Sequence, residues 1–305
     1  MPAPTAVSTR PRRSPAPRTV WIVAGGLGLV ILAAVVVVLL APHLGGGPAL
    51  RGLSEGLTSR GFWTAAAVGL AAQTVDGALG MAYGITSTTF LLSTGVPPAA
   101  ASASVHVAEI FTTAFSGVSH WRLGNVNTAL FKRLLIPGVM GAVTGAYVLT
   151  SIDGDTIKPF VSGYLLLMGL YVLTKAFRTI RARVEPPHAV IPLALTGGFV
   201  DAVGGGGWGP VVTTSLVGSG QDPRTTIGSV NAAEFFVALA SGLSFTLLGG
   251  LAHWTTIAGL VVGGLFAAPV AALLCRALPT RALLIIVGIL ISSLNAYTLF
   301  KLLAR

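Results

Sequence analysis

Charge is scarce in this chain. Only 9% of its 305 residues are Asp, Glu, Lys or Arg, while 53% are hydrophobic. A soluble domain carries about a quarter charged residues, so too few are present to cover a surface in water, and a soluble globular protein is excluded. A single cysteine, Cys275, excludes an internal disulfide framework and a cysteine metal cluster. There is no P-loop for ATP and no HExxH zinc motif. The period-two alternation of an outer-membrane barrel is also missing.

What remains is oil, glycine and a modest basic excess. Mean hydropathy is +0.82, and apolar runs of about 20 residues recur, the length that spans a bilayer core as helix. The sequence predicts an all-α, polytopic integral membrane protein in a lipid bilayer. The net charge of +10 does not indicate nucleic acid, because the basic residues sit in short segments between apolar runs, where they encode orientation. Residues 1–19, rich in Pro, Ser and Arg, read as a disordered basic cytoplasmic tail. Residues 20–41 read as one extra N-terminal span, longer than a signal-peptide core.

The rest is a duplication. Shifted by 125 residues, Asp76 falls on Asp201, Gly84 on Gly209, Thr88 and Thr89 on Thr213 and Thr214, and Pro98 on Pro223. Ser104, Val105 and Glu109 fall on Ser229, Val230 and Glu234. Two units are expected, 62–183 and 188–303, and two-fold internal repeats are a common transporter plan. Each unit opens with a Gly-interrupted segment (62–95; 189–219), followed by three plain apolar runs. Those runs are 99–121, 133–150 and 158–178, then 225–248, 254–275 and 282–302.

Charge decides how the interrupted segments run. If each is a hairpin entering and leaving on one side, 14 Lys and Arg are cytoplasmic and 5 are outside. If each crosses once, the count is 8 against 11. The positive-inside bias favours hairpins. The two units then have opposite orientation, an inverted repeat, with the N-terminus cytoplasmic and the C-terminus outside.

The stretch "DAVGGGGWGP", Asp201 to Pro210, puts weak helix formers among oily helices. Broken backbone is tolerated in a membrane only where protein or a watery cavity satisfies it. A hairpin tip would aim helix N-termini into such a cavity, and helix N-termini bind anions. The candidate substrate-binding residues are Gly80, Tyr83, Gly84, Thr86, Thr88 and Thr89 in the first unit. In the second they are Gly204, Gly205, Gly206, Gly207, Trp208, Gly209, Thr213 and Thr214. His106 and its counterpart Asn231 join them.

Four matched carboxylates stand in apolar surroundings: Asp76 with Asp201, and Glu109 with Glu234. Such groups usually face the bundle interior. Asp76 and Asp201 either brace the breaks through backbone N–H groups or bind a coupling proton or cation. Glu109 and Glu234 either carry a proton or make a hydrogen bond between units. No dense ligand cluster marks a metal site, so neither metal nor cofactor is expected.

At these residues the sequence resembles the sulfite exporter family TauE/SafE. The match lies in "DAVGGGGWGPVVTTSLVGSG" with "RTTIGSVNAAEFFVALASG", and in "DGALGMAYGITSTTFLLSTGVPP" with "AAASASVHVAEIFTTAFSG". It covers about 62–303. The first unit departs from it, with "ALGMAYG" in place of a glycine run. The resemblance implies a bacterial inner-membrane permease that exports sulfite, sulfonates or related organosulfur anions. The reading is a secondary transporter of a small oxyanion, working by alternating access at a midplane site between two re-entrant hairpins. The alternatives are a proton- or cation-coupled carrier of another solute using the carboxylates, and an intramembrane enzyme using His106 and Glu109. No nucleophile–base pair supports the enzyme. The sequence does not set the oligomeric state.

Overall fold

The computed structural model describes residues 48–79, 81–177, 189–249, 253–277 and 280–304. The tail at 1–19, the span at 20–41 and Gly80 lie outside the described residues. The helices in chain order are α1 (Pro48–Thr58), α2 (Arg60–Leu79), α3 (Tyr83–Ser93), α4 (Pro98–Arg122), α5 (Thr128–Ser151) and α6 (Gly154–Lys175). Then come α7 (Val190–Gly204), a π-helical turn (Trp208–Thr213) running into α8 (Thr214–Gly218), α9 (Pro223–Gly249), α10 (Trp254–Ala277) and α11 (Thr280–Leu303). No strand occurs among the described residues. The helices α5, α6 and α9, with Leu284–Leu303 of α11, are long and apolar enough to cross a membrane.

The two interrupted segments break as the glycines predict. The first breaks between Leu79 and Tyr83, and the second between Gly204 and Trp208, 125 residues later. In the second, Gly205 ends α7 at φ +63°, the left-handed cap glycine adopts without strain. In the first, Ala82 takes φ +95°, a region costly for any residue with a Cβ. Other helix starts are set by side chains. Asn127 Oδ1 accepts from the N–H groups of Ala129 (3.0 Å) and Leu130 (3.1 Å), capping α5. An Asn127→Ala variant is expected to lose about 1 kcal/mol of stability, read as a lower unfolding midpoint in detergent.

Packing follows the duplication. Helix α2 of the first unit lies against α10 of the second, and α7 of the second lies against α5 of the first. The equivalent helices α4 and α9 pack together, as do α6 and α11. Glycine allows these approaches: a Cβ on Gly263 would strike the Ala66 carbonyl, and one on Gly141 the Leu195 carbonyl. The equivalent helices run antiparallel. Val107 and Ile110 of α4 face Gly242 of α9, whereas Gly117 faces Ala232. Likewise Gly169 of α6 faces Ser292, and Gly288 faces Leu173.

Candidate functional site

The two breaks meet each other at the centre of the bundle. A Cβ on Gly84 would lie 2.6 Å from Gly206 Cα and 2.8 Å from the Gly205 carbonyl oxygen. A Cβ on Gly205 would strike the Thr88 hydroxyl, and one on Gly206 the Ile85 nitrogen. Thr88 Oγ1 donates to the Gly205 carbonyl at 2.6 Å. Here glycine serves the close approach of one break's backbone to the other's, whereas the sequence predicts glycines that bind substrate.

Each break is braced by the carboxylate that precedes it. Asp201 Oδ1 accepts from the N–H groups of Gly207 (2.7 Å) and Trp208 (2.8 Å). Asp76 Oδ1 accepts from the Tyr83 N–H at 3.3 Å. Free N–H groups at a helix start favour negative charge, and in both units the chain supplies one from within. On the outer side of the second break, Tyr164 Oη donates to the Gly206 carbonyl at 3.1 Å.

His106 crosses between units. Its Nδ1 lies 2.8 Å from the Ser102 carbonyl oxygen, which can only accept, so Nδ1 carries a hydrogen. Its Nε2 lies 3.1 Å from Asp201 Oδ2. That contact therefore needs a second proton, giving an imidazolium–carboxylate pair or a neutral ring against a protonated acid. His106 and Asp201 are 0% and 2% exposed, so both are shielded from bulk solvent.

A small polar cavity lies where the breaks meet. All four intramembrane carboxylates, Asp76, Glu109, Asp201 and Glu234, line it, together with Tyr83, Gly84, Gly206, Gly207 and Gly209. Its free volume is about 20 Å³, the room of roughly one water molecule. Oxygens of Glu109 and Asp201 and a nitrogen of His106 fall within 4.8 Å of one another. The sequence reading saw no such cluster, because Asp201 comes from the other unit and spacing along one helix cannot show it. A cation there would compete with the two amides and the imidazole already on Asp201.

The remaining predicted residues lie apart from this cavity. Trp208 is fully buried, its indole N–H donating to the Val230 carbonyl at 3.2 Å, with Gly138 making room for the ring. It packs the interior. Gly204 abuts the Tyr164 ring. Thr89 Oγ1 accepts from Asn295 Nδ2 at 2.9 Å, and Asn231 Nδ2 donates to Ser116 Oγ at 3.1 Å. Thr214 is taken by Lys175. The hydroxyls of Thr86 and Thr213 are buried without a hydrogen-bond partner among the described residues. Sequence reasoning missed Thr112 and Thr113, which also line the cavity. Their positions three and four residues after Glu109 place them on its helix face. Thr113 Oγ1 donates to the Glu109 carbonyl at 2.5 Å.

Comparison with known proteins bears on this arrangement. Residues 65–298 match the family described as Sulfite exporter TauE/SafE. The chain belongs to the sulfite exporter TauE/SafE family. The TauE/SafE match spans both breaks and all four carboxylates. A curated relative, "Probable membrane transporter protein YtnM" of Bacillus subtilis (strain 168), is 44% identical over 243 residues. That alignment covers 77% of this chain and 81% of the relative. No solved structure matches. Membership makes the chain a multi-pass membrane transporter, in keeping with its long apolar helices.

Proposed function

We propose that this protein is a secondary transporter of a small oxyanion, sulfite or an organosulfonate, and that it acts by alternating access at the point where its two breaks meet. The observation that carries this reading is the central cavity, shared by both units and lined by backbone breaks and matched polar groups. Discontinuous helices meeting between repeats are where secondary transporters hold their substrates. The antiparallel run of equivalent helices, α4 with α9 and α6 with α11, supports oppositely oriented units, 62–183 and 188–303. With the 14-to-5 charge bias, it supports re-entrant hairpins, a cytoplasmic N-terminus and an outside C-terminus in a bacterial inner membrane.

The geometry adds a constraint. A site lined by four carboxylates receives an anion only if its charge is balanced, since uncompensated buried charge is costly. As an imidazolium His106 would offset one carboxylate; as a neutral ring it faces one that already holds a proton. Protons on others would accompany the substrate, so anion and proton move together. The cavity at about 20 Å³ is too small for a sulfur oxyanion, so on this reading the conformation is a closed one. Parting of the two breaks would admit substrate.

Protein reconstituted into vesicles loaded with sulfite or 2-hydroxyethanesulfonate is expected to give saturable efflux, with internal alkalinisation in lightly buffered vesicles. Absence of flux for both anions overturns the reading. The approach of His106, Glu109 and Asp201 to within 4.8 Å favours a second reading, a cation carrier. It predicts instead flux of a divalent or monovalent cation with no anion requirement.

A further inference from the structure

A second cavity holds a lysine that no described carboxylate pairs with. It lies between α6 and α8, is lined by Leu167, Leu170, Tyr171, Thr174, Lys175, Thr214 and Gly218, and has a volume of about 470 Å³, against about 20 Å³ at the centre. Lys175 Nζ, partly buried, donates to Thr214 Oγ1 and reaches Met81 Sδ at 3.3 Å. It also sits 4.8 Å from the centroid of the Tyr171 ring. Among the described residues no carboxylate pairs with it. An ammonium drawn out of water usually takes a carboxylate partner. This one has a hydroxyl, a thioether and an aromatic face, none of which cancels its charge.

Its neighbours tie it to the transport route. Met81 belongs to the first break, and Thr214 begins the helix that follows the second. A single side chain therefore touches both interrupted segments from one side of the central cavity. The opposite end differs. The second unit repeats the spacing with Tyr297 and Lys301, but Lys301 is exposed. Thr89, the counterpart of Thr214, is held by Asn295. The cation-and-hydroxyl group is thus preformed at one end of the protein and absent from the other.

We propose that Lys175, with the hydroxyls of Thr214 and Thr174, forms a loading site for the oxyanion, distinct from the central cavity. It rests on the oxyanion reading above. The ammonium supplies the charge and donors, and the hydroxyl of Thr214, released by Lys175, and that of Thr174, which here donates to the Tyr171 carbonyl at 2.8 Å, turn to the oxygens. Binding there draws Lys175 off Thr214 and Met81, so arrival of the anion loosens a contact that bridges the two breaks.

Two measurements test this. In the first, purified wild-type protein is treated with an amine-reactive label at graded sulfate and 2-hydroxyethanesulfonate, with chloride matching the ionic strength, and Lys175 is followed by peptide mass spectrometry. Saturable change in its labelling with either oxyanion, and none with chloride, is expected. An unchanged rate overturns the site even if efflux is intact. In the second, Lys175→Gln and Lys175→Arg are compared in sulfite efflux. Loss of a charge-assisted contact is expected to raise KM about tenfold in Lys175→Gln, with Lys175→Arg near wild type and the maximal rate of both within about threefold. An unchanged KM in Lys175→Gln sinks the loading site while leaving the transport reading standing. If wild-type vesicles move no anion, the transport reading falls, and the labelling result alone decides the site.

Discussion

Gly206→Ala is expected to abolish transport and to lower the stability of the folded protein by several kcal/mol. Gly206 has φ +149°, a conformation L side chains rarely adopt, and strain of this kind costs about 1–3 kcal/mol. The added methyl would also strike the Ile85 nitrogen and lie 2.6 Å from Gly84 Cα. Forcing atoms into a packed interior costs about 1–3 kcal/mol more. The obstruction is the backbone of the other break, so no side-chain rotation relieves it. Thermal unfolding in detergent and sulfite efflux from vesicles report the two effects. Gly163→Ala, with nothing within 4 Å of the added atom, is the control. It should melt at or slightly above wild type, because alanine orders in a helix more readily than glycine. A Gly206→Ala protein that melts with the wild type would show that the breaks do not lie back to back.

Asp201→Ala should be nearly as damaging, for an electrostatic reason. The carboxylate holds two backbone N–H groups and the His106 ring at once. Removing it leaves the two amides and the imidazole buried without their acceptor, at about 1–3 kcal/mol for each group stranded. If part of that loss falls on the transport barrier, efflux drops by about a hundredfold. Asp201→Asn keeps an oxygen for the amides but no charge for the imidazole, so it should fold better and still transport poorly. Asp76→Asn touches a single 3.3 Å hydrogen bond and should cost about 1 kcal/mol or less. The expected order of damage is Asp201→Ala, Asp201→Asn, Asp76→Asn. Equal midpoints and equal efflux for Asp201→Ala and Asp76→Asn would contradict the bracing role.

The places where helices stop were legible in the sequence. Gly204 to Gly207 and the weaker "ALGMAYG" both sit at observed breaks, because glycine and proline act on the backbone locally. The matched carboxylates also proved to share one cavity, since charge in an apolar run has few places to go. Partners across units were hidden. His106 and Asp201 stand 95 residues apart, and helix periodicity reports a face without saying what meets it. Trp208 shows the same limit. An aromatic beside a glycine break suits a ligand wall or a packed interior equally well by pattern, and only the space opened by Gly138 decides for packing. The lysine on Thr214 was obscured because Lys175 ends an apolar run, where a basic residue looks like an interfacial anchor.

The duplication has also lost its evenness at one telling point. His106 of the first unit meets Asp201 of the second, but its counterpart Asn231 has turned to Ser116 and leaves Asp76 without an imidazole. Perfectly matched halves would rest as comfortably tipped one way as the other. If the halves rock as proposed, a histidine–carboxyl clasp on one side and an amide–hydroxyl contact on the other favour one posture, so the two directions of travel need not be equally fast.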